Sequence, residues 1–489
     1  MRRSFVACVG VVILAIAPDA IAATRTWSGT LGTGWNTAGN WVEGIVPANG
    51  DDLVFPANPT DRDSSNDIAG LSIASVSVTT TNSGADYNFT GNGITLGGAF
   101  TFANPGAGAT ANPHWAIPLT LSAGITMTSS GRISFVEGAI ALGANTLALQ
   151  VDGDLWISGA IAGAGGLTKN GSSALTLDGA SGYGGATQVN AGMLRTGSAG
   201  ALGGSGTGTT FASATTLGLA FGPYAMPEPI TFSGPAGTIL MIANNQLSGP
   251  LAFNGTLAFQ MDSPGSLSGP IASNGTIVIT DGALSTSGDS PAFTGTVDIQ
   301  SGGFIPQGTF PAAINLQAPG GLFGTATSGP LTMTGGTFAP GIVLQLFAPA
   351  GLASSGGMHN LVMAPGLPVT NYDQIQVAGT VSLGGTTLNT TAAGVLPLGL
   401  TFVIIDNDGA DPVAGTYAGK AEGTTYLQAG NWFTITYQGG DGNDVVLTTV
   451  AAPAGPPSVP VPGPGLPALL LAVAAIAALA FRRARRQLA

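Results

Sequence analysis

The sequence has few charged residues and a single cysteine. Charged side chains make up 7% of its 489 residues, against about 25% in an ordinary soluble domain. Cys8 lies in an N-terminal segment that we expect to be removed, so a mature chain would form no disulfide and no thiolate metal site. Helices need charged and long polar side chains on their outer face, and their scarcity excludes a helix-rich fold.

Basic residues are scarcer still in the body of the chain. Two of the 12 basic residues lie at positions 2–3 and four at 482–486. Residues 24–481 therefore contain six basic residues and 23 acidic residues. A strongly acidic body repels the phosphates of nucleic acids and anionic lipids. We therefore exclude nucleic acid and anionic membrane surfaces as partners of the body.

The N-terminus has the three parts of a secretory signal. Met1, Arg2 and Arg3 are followed by an apolar run of 13 residues from Phe5 to Ala17, which is shorter than the ~20 residues of a membrane span. Ala20-Ile21-Ala22 has the small-residue spacing that a signal peptidase cleaves. Residues 1–23 are thus predicted to be a signal peptide, cut at Ala22 or Ala23.

The C-terminus also has three parts. A Pro- and Gly-rich linker at 451–465 precedes an apolar stretch of 16 residues, Leu466 to Phe481, and then four arginines. This layout resembles the exosortase-type sorting signals of Gram-negative bacteria, the PEP-CTERM class, although Pro462-Gly463-Pro464 stands where that class has Pro-Glu-Pro. The resemblance implies an exosortase-type processing enzyme as a partner. The alternative is a permanent membrane anchor at 466–481, with the arginines on the cytoplasmic side.

What the sequence has in abundance is glycine, with 78 residues, together with Thr and Ser, which favour strands and turns. A repeat of 20 residues runs through its centre, where Leu-Ser-Gly-Pro occurs at 247–250 and 267–270 and Gly-Thr at 255, 275 and 295. Two apolar residues follow each Gly-Thr in alternation, beginning with Leu257, Ile277 and Val297. This period predicts a parallel β-solenoid in which these side chains form one buried column.

Three body segments are distinguished. Residues 24–109 are predicted to be an N-terminal β cap region, in which the alternating run Leu71 to Val78 indicates one half-buried strand. Residues 110–340 are predicted to hold the β-helix repeats, and 341–450 a β-rich C-terminal segment.

A second repeat lies at 157–194. The runs Gly163 to Gly171, Leu175 to Gly179 and Tyr183 to Leu194 closely resemble the autotransporter-associated β-strand repeat. The resemblance implies a passenger-type surface protein that folds as a right-handed parallel β-helix. Because residues 200–450 continue as passenger-like sequence, we expect separate export machinery.

Little in the sequence supports catalysis. His114 and His359 are far apart, without ligand spacing, and each is expected to be an ordinary loop residue. No Gly-x-Ser-x-Gly elbow occurs. The mid-chain basic residues are scattered, which disfavours a lyase site built from carboxylates and bases; they are Arg25, Arg62, Arg132, Lys169, Arg195 and Lys420. Distant residues can still meet on a solenoid, so a polysaccharide lyase or hydrolase remains the least favoured alternative.

Calcium is the one cofactor that the sequence suggests, and no other is expected. Residues 439–447 fit a single copy of the Gly-Gly-x-Gly-x-Asp-x-apolar-x nonapeptide of calcium β-rolls, although a tight glycine turn before a final strand explains them better. We expect at most weak calcium candidates, which are Asp406, Asp408, Asp411, Asp441 and Asp444.

Three tryptophans, Trp27, Trp35 and Trp41, suggest either a sugar-stacking surface or, preferably, an aromatic cap on the open end of the solenoid. The whole sequence therefore predicts an all-β fold: a right-handed parallel β-helix with an N-terminal cap, a β-rich C-terminal segment and a short C-terminal hydrophobic helix. The function expected is non-catalytic, that of an exported cell-surface or extracellular-matrix structural or adhesive protein, contacting polysaccharide or neighbouring cells. The alternative is a carbohydrate-binding adhesin.

Overall fold

A computed structural model describes residues 22–80, 85–104, 111–340, 351–368 and 371–454. The chain divides into two units, 1–449 and 450–489, and nearly all of the described residues belong to the first. Most of the predicted signal peptide and of the linker, and all of the apolar tail, lie outside the described residues. The described part of the chain contains no helical segment with the length and apolar character of a membrane span.

The described chain coils through stacked parallel sheets, and the predicted parallel β-solenoid is confirmed. Between residues 52 and 183, each coil places one strand in sheet 1, one in sheet 2 and one in sheet 3. Sheet 1 ends at Ile271–Ser273, and the later coils place their strands mainly in sheet 2 and in a fourth sheet. Sheet 4 takes the position of sheet 3 in the coils after residue 224. Successive strands of every sheet pair in parallel, so each coil satisfies the backbone groups of the next.

The strands of sheet 1 are Thr24–Thr26, Asp52–Phe55, Ser75–Thr79, Phe100–Ala103, Ile125–Ser130, Leu147–Val151, Leu167–Asn170, Thr187–Val189, Thr209–Phe211, Ile230–Phe232, Leu251–Phe253 and Ile271–Ser273. Those of sheet 2 are Asp63–Asn66, Tyr87–Gly91, Pro113–Trp115, Ser134–Val136, Leu155–Ile157, Ala174–Leu177, Met193–Thr196, Thr215–Leu219, Ala236–Met241, Thr256–Met261, Thr276–Ile279, Thr296–Ile299, Ala313–Leu316, Leu331–Met333, Leu352–Ser354, Val381–Gly384 and Ala414–Thr416.

The strands of sheet 3 are Ser72–Ile73, Ile94–Leu96, Leu119–Leu121, Ile140–Gly143, Ile161–Gly163 and Gly182–Tyr183. Those of sheet 4 are Ala225–Met226, Gln246–Leu247, Gly265–Leu267, Ala283–Thr286, Gly303–Ile305, Gly321–Ser328, Thr337–Pro340, Met358–Met363 and Thr387–Ala392, with Gln307–Phe310 paired to Gly321–Ser328. A single 3-10 turn, Ala38–Asn40, is the one helical element within the described ranges.

The 20-residue period sets the register of the central coils, as the sequence predicts. Leu257 pairs with Ile277, and Ile277 with Val297, in sheet 2. All three side chains are fully buried, and burial of such a side chain contributes roughly 1.5–3 kcal/mol. The Leu-Ser-Gly-Pro repeat requires glycine at position 269 for a steric reason. A Cβ on Gly269 would clash with the carbonyl oxygen of Gly249 in the preceding coil.

The alternating run at 71–78 is two strands rather than the single strand predicted. Ser72–Ile73 belongs to sheet 3 and Ser75–Thr79 to sheet 1, with a bend at Ala74 between them. Ile73 and Val76 both point inward although they are three residues apart, because the chain turns a corner of the coil. The inward side chains therefore change from odd to even positions at the corner.

The solenoid is longer than the predicted segment 110–340. Its first coil begins at Thr24–Thr26, and sheet 2 continues to Ala414–Thr416. The described residues of this region, 24–80 and 85–104, therefore form coils rather than a separate cap, because their apolar side chains occupy the same inward positions as those of later coils.

Five strands form a further sheet at the C-terminal end of the first unit, which we call the end sheet. Their order is Ile375–Val377, Thr401–Asn407, Asp444–Val450, Asn431–Gly439 and Thr425–Gln428. The first two pair in parallel, whereas Thr401–Asn407 and Asp444–Val450 pair antiparallel. Residues 440–443 make the turn before the last strand, in agreement with the preferred interpretation of the glycine-rich nonapeptide.

Candidate functional site

Sheet 2 carries a row of aromatic side chains on its outer surface. Pro113–Trp115, Ser134–Val136 and Leu155–Ile157 are consecutive three-residue strands whose first and last residues are buried. Their central residues, His114, Phe135 and Trp156, point outward because successive side chains of a strand alternate between faces. They pair directly across the sheet. Together with Phe221, they form what we call the outer aromatic column.

The rings of the column follow one another along the solenoid. The centroids of His114 and Phe135 lie 4.5 Å apart with an interplanar angle of 6°. Phe135 and Trp156 are 5.9 Å apart at 32°, and Trp156 and Phe221 are 5.3 Å apart at 24°. Such separations are favourable for aromatic pairs, so the column is a continuous apolar strip.

Phe221 occupies an unusual backbone conformation. Its φ is +67°, in the left-handed region that costs a bulky side chain energy. It is 55% exposed, and its ring stacks on Trp156. The loop therefore holds a large apolar side chain at the surface, where it extends the strip beyond the strands.

Polar groups flank both ends of the column. His114 Nδ1 lies 2.9 Å from Glu137 Oε1, and His114 Nε2 lies 3.9 Å from Asp86 Oδ2. At the other end, Thr176 pairs with Trp156 in the sheet but is only 5% exposed, and the partly exposed Arg195 pairs with Thr176. Apolar ring surface bordered by hydrogen-bonding groups is suited to ligands with both apolar C–H faces and hydroxyl groups.

The tryptophans that the sequence suggested for sugar stacking lie elsewhere. Trp27 and Trp35 are 0% exposed and Trp41 is 2% exposed. Their indole N–H groups donate to Asp61 O, Ser64 Oγ and Trp35 O, at 2.8, 2.6 and 2.8 Å. The proposed stacking surface at these residues is therefore wrong, because none of the three rings has a face free for a sugar.

The two histidines are not the loop residues that we expected. His114 lies in strand Pro113–Trp115 and His359 in strand Met358–Met363. His359 is fully buried, 2.8 Å from the hydroxyl of Tyr417 through Nδ1. Burial lowers the pKa of His359 to about 3, so the ring is neutral at ordinary pH and acts as a core side chain.

The calcium candidates gather at one end of the end sheet. Asp406 and Asp444 lie in neighbouring strands, and Asp441 lies in the turn before Asp444. Asp406 and Asp408 line a groove of about 210 Å³ with Gln376, Val377 and Ala378. Burial raises the pKa of Asp406, and the charges of Asp441 and Asp408 raise it further. Within the described ranges, no three His, Cys, Asp or Glu side chains are arranged to hold a metal ion.

Several buried ionisable groups could not be foreseen from the sequence. Lys169 is 1% exposed, and its Nζ donates to the carbonyl oxygens of Gly171 and Ala191 at 3.0 and 2.8 Å. Burial lowers the pKa of Lys169 to about 8, raises that of Glu228 to about 7 and raises that of Asp373 to about 6. Because Lys169 Nζ donates to main-chain carbonyls rather than to a carboxylate, we assign this lysine a role in stabilising the fold.

The outer aromatic column leaves a signal in the sequence. His114, Phe135 and Trp156 are spaced by 21 residues, and each has an apolar residue directly after it. An aromatic residue at every coil length, in an outward position of the alternation, predicts a surface row.

Comparison with known proteins supports one repeat. Residues 167–195 match the passenger-associated-transport-repeat, and all but the last of them lie in the stretch that resembles the autotransporter-associated repeat. The chain therefore contains a passenger-type repeat, which spans about one and a half coils.

Among solved structures, the crystal structure of the Haemophilus influenzae Hap adhesin is similar at 10% identity, with a TM-score of 0.35. The similarity covers 82% of this chain, which spans 63% of the length of that adhesin. No curated protein matches.

Proposed function

We propose that this chain is a non-catalytic adhesive β-solenoid of the bacterial cell surface or extracellular matrix, and that the outer aromatic column is its contact site for neutral carbohydrate. The observation that carries this proposal is the continuous row of outward-facing rings on sheet 2. Folded proteins bury most of their large apolar side chains, so a contiguous row of outward-facing rings indicates a binding surface. Phe221 is 55% exposed, and the other three rings are partly exposed.

Charge favours a neutral ligand. The carboxylates of Glu137 and Asp86 border the strip beside His114, and the chain as a whole has a formal charge of −12. An acidic polysaccharide would be repelled by these groups. A neutral glycan offers apolar C–H faces to Phe135 and Trp156 and hydroxyl groups to the flanking polar side chains.

The passenger-type repeat and the sequence of the two termini support an extracytoplasmic location. We propose export with cleavage at Ala22 or Ala23, a right-handed coil as in the passengers that the chain resembles, and processing of the 451–489 region by an exosortase-type enzyme. Mass spectrometry of the mature protein, combined with cell fractionation, tests the processing. An intact tail on the mature protein would leave a permanent anchor as the explanation.

Affinity electrophoresis of the purified mature chain tests the carbohydrate site. The gels contain hydroxyethyl cellulose, soluble starch or the polysaccharide extracted from the producing bacterium. We expect wild type to be retarded, and Trp156→Ala and Phe221→Ala to bind about two- to twelvefold more weakly, since an aromatic contact contributes about 0.5–1.5 kcal/mol. Phe323→Ala is the matched control, because Phe323 is a 38% exposed phenylalanine on sheet 4.

Three results would contradict this proposal. If none of the three polysaccharides retards the wild-type chain, the proposal of a carbohydrate ligand is wrong. Equal loss in Phe323→Ala would show that the effect is not specific to the column. Release of oligosaccharides by the wild-type chain, abolished by a single Asp substitution, would favour the lyase or hydrolase instead.

A further inference from the structure

Two asparagines of the end sheet have side-chain oxygens that nothing in the protein satisfies. Asn407 is 1% exposed and Asn443 is 4% exposed. The Oδ1 atoms of both are buried without a hydrogen-bond partner, and so is Oδ2 of Asp411. Buried acceptors without a donor are rare in native proteins, and an ion or an ordered water is a common partner for them.

The orientation of both amides is fixed by their nitrogen atoms. Asn407 Nδ2 donates to the main-chain oxygen of Asp411 at 2.8 Å. Asn443 Nδ2 donates to the same oxygen at 3.3 Å and to that of Gly409 at 2.7 Å. A carbonyl only accepts hydrogen bonds, so exchanging the amide oxygen and nitrogen would place two acceptors face to face. The three unpartnered oxygens therefore belong to groups gathered around one main-chain carbonyl.

The surrounding charges are negative. Burial raises the pKa of Asp406, and the charges of Asp441 and Asp408 raise it further. The pKa of Asp444 is likewise raised by burial and by the charges of Asp406 and Asp441. One oxygen of Asp444 accepts from the main-chain N–H of Asn407 at 2.9 Å, which ties the last strand to this cluster. A water would satisfy a free oxygen but would leave these charges uncompensated, whereas a cation answers both requirements.

We propose that Asn407 Oδ1, Asn443 Oδ1 and the Asp411 carboxylate bind a calcium ion, with Asp408 and Asp441 at its exposed rim. Calcium takes six to eight oxygen ligands and accepts carboxylate, amide and water oxygens in flexible geometry. The two amide oxygens add neutral ligands to the carboxylate, since among the described residues no three acidic side chains are arranged to hold a metal ion by themselves. A bound ion would join the 407–411 loop to the turn before the last strand.

Isothermal titration of the chelator-treated mature chain with calcium chloride tests the site, alongside thermal unfolding with and without the ion. Extracellular calcium modules have Kd values of about 10⁻⁴ to 10⁻³ M, so about 10 mM calcium should saturate the site. We expect one ion per chain and a thermal midpoint raised by about 1–3 °C. Magnesium should bind more weakly, because it requires a stricter octahedral geometry.

The variant Asp411→Asn removes the charged ligand and keeps its shape. We expect it to weaken calcium binding at least about tenfold while leaving the thermal midpoint in chelator unchanged or higher, because it relieves repulsion. Asp281→Asn, on an exposed turn of the solenoid, is the control and should bind as wild type does. No calcium-dependent heat or thermal shift in wild type, or an equal shift in Asp411→Asn, would overturn the assignment.

Discussion

Glu228 should make the stability of the solenoid depend on pH. This side chain is 4% exposed, and its Oε1 accepts from Thr209 Oγ1 at 3.3 Å. Burial raises its pKa from 4.5 to about 7. The folded state thus binds the proton more tightly than the unfolded chain, so the contribution of Glu228 to stability is present at pH 4.5 and is lost as the pH rises to about 7.

The size of this effect follows from the pKa. One pKa unit corresponds to 1.36 kcal/mol, so the change from 4.5 to about 7 would amount to about 3 kcal/mol at most. Glu228→Gln keeps the shape of the side chain and removes its charge. We expect the variant to match wild type near pH 4.5 and to be more stable above pH 7.

Thermal unfolding across this pH range, with hydrogen exchange in strands Thr209–Phe211 and Ile230–Phe232, measures the difference between the two proteins. Hydrogen exchange is measured as well because single coils of a long solenoid can unfold locally while the rest of the chain stays folded. Asp373 and His359 also titrate, but they are common to both proteins and cancel. Asp262→Asn, at an exposed position, is the control for the loss of one charge. A difference between Glu228→Gln and wild type that does not change with pH would refute the reasoning.

Two further predictions concern the interior. Ile277→Ala should destabilise the fold by about 2–5 kcal/mol, because Ile277 is fully buried between Leu257 and Val297. The control is its outward neighbour, where Val278→Ala should destabilise the fold by about 0.5 kcal/mol or less. Equal destabilisation by the two variants in denaturant unfolding would contradict the buried column. Burial lowers the pKa of Lys169 from 10.5 to about 8, so its contribution to stability should increase from pH 8 to about 10.5. Lys169→Met should lose this increase in thermal unfolding, and curves of wild type and variant that stay parallel would contradict it.

The period of 20 residues was sufficient to predict the central coils, including the pairing of Leu257, Ile277 and Val297. Equal spacing determines register directly, since a parallel coil stacks each residue over the one a period earlier. The first coils have no such exact repeat, so the sequence did not show that the solenoid begins at Thr24–Thr26. The break at Ala74 was also missed, because alternation alone does not distinguish one strand from two that meet at a corner.

The candidate site was harder to predict than the fold. Tryptophan near glycine at positions 27, 35 and 41 fits either a sugar-stacking surface or the preferred aromatic cap. The sequence could not decide between the two, because burial of an aromatic ring depends on which way its strand faces. The face could be assigned only where inward neighbours were known, as for Trp156 between Leu155 and Ile157. Asn407 and Asn443 were missed for another reason, since unpaired oxygens are a property of the assembled loops.

In the strands of sheet 2, inward residues form the core that stabilises the fold, and the outward residues that alternate with them form the surface. Trp156 lies outside and its neighbours Leu155 and Ile157 inside, so adjacent residues of one strand contribute separately to the surface and to the core. If the outer aromatic column binds a ligand as proposed, exchanging one outward ring per coil would change that ligand while every inward side chain remained as it is. Diversity in recognition would then accumulate as single substitutions at intervals of one coil.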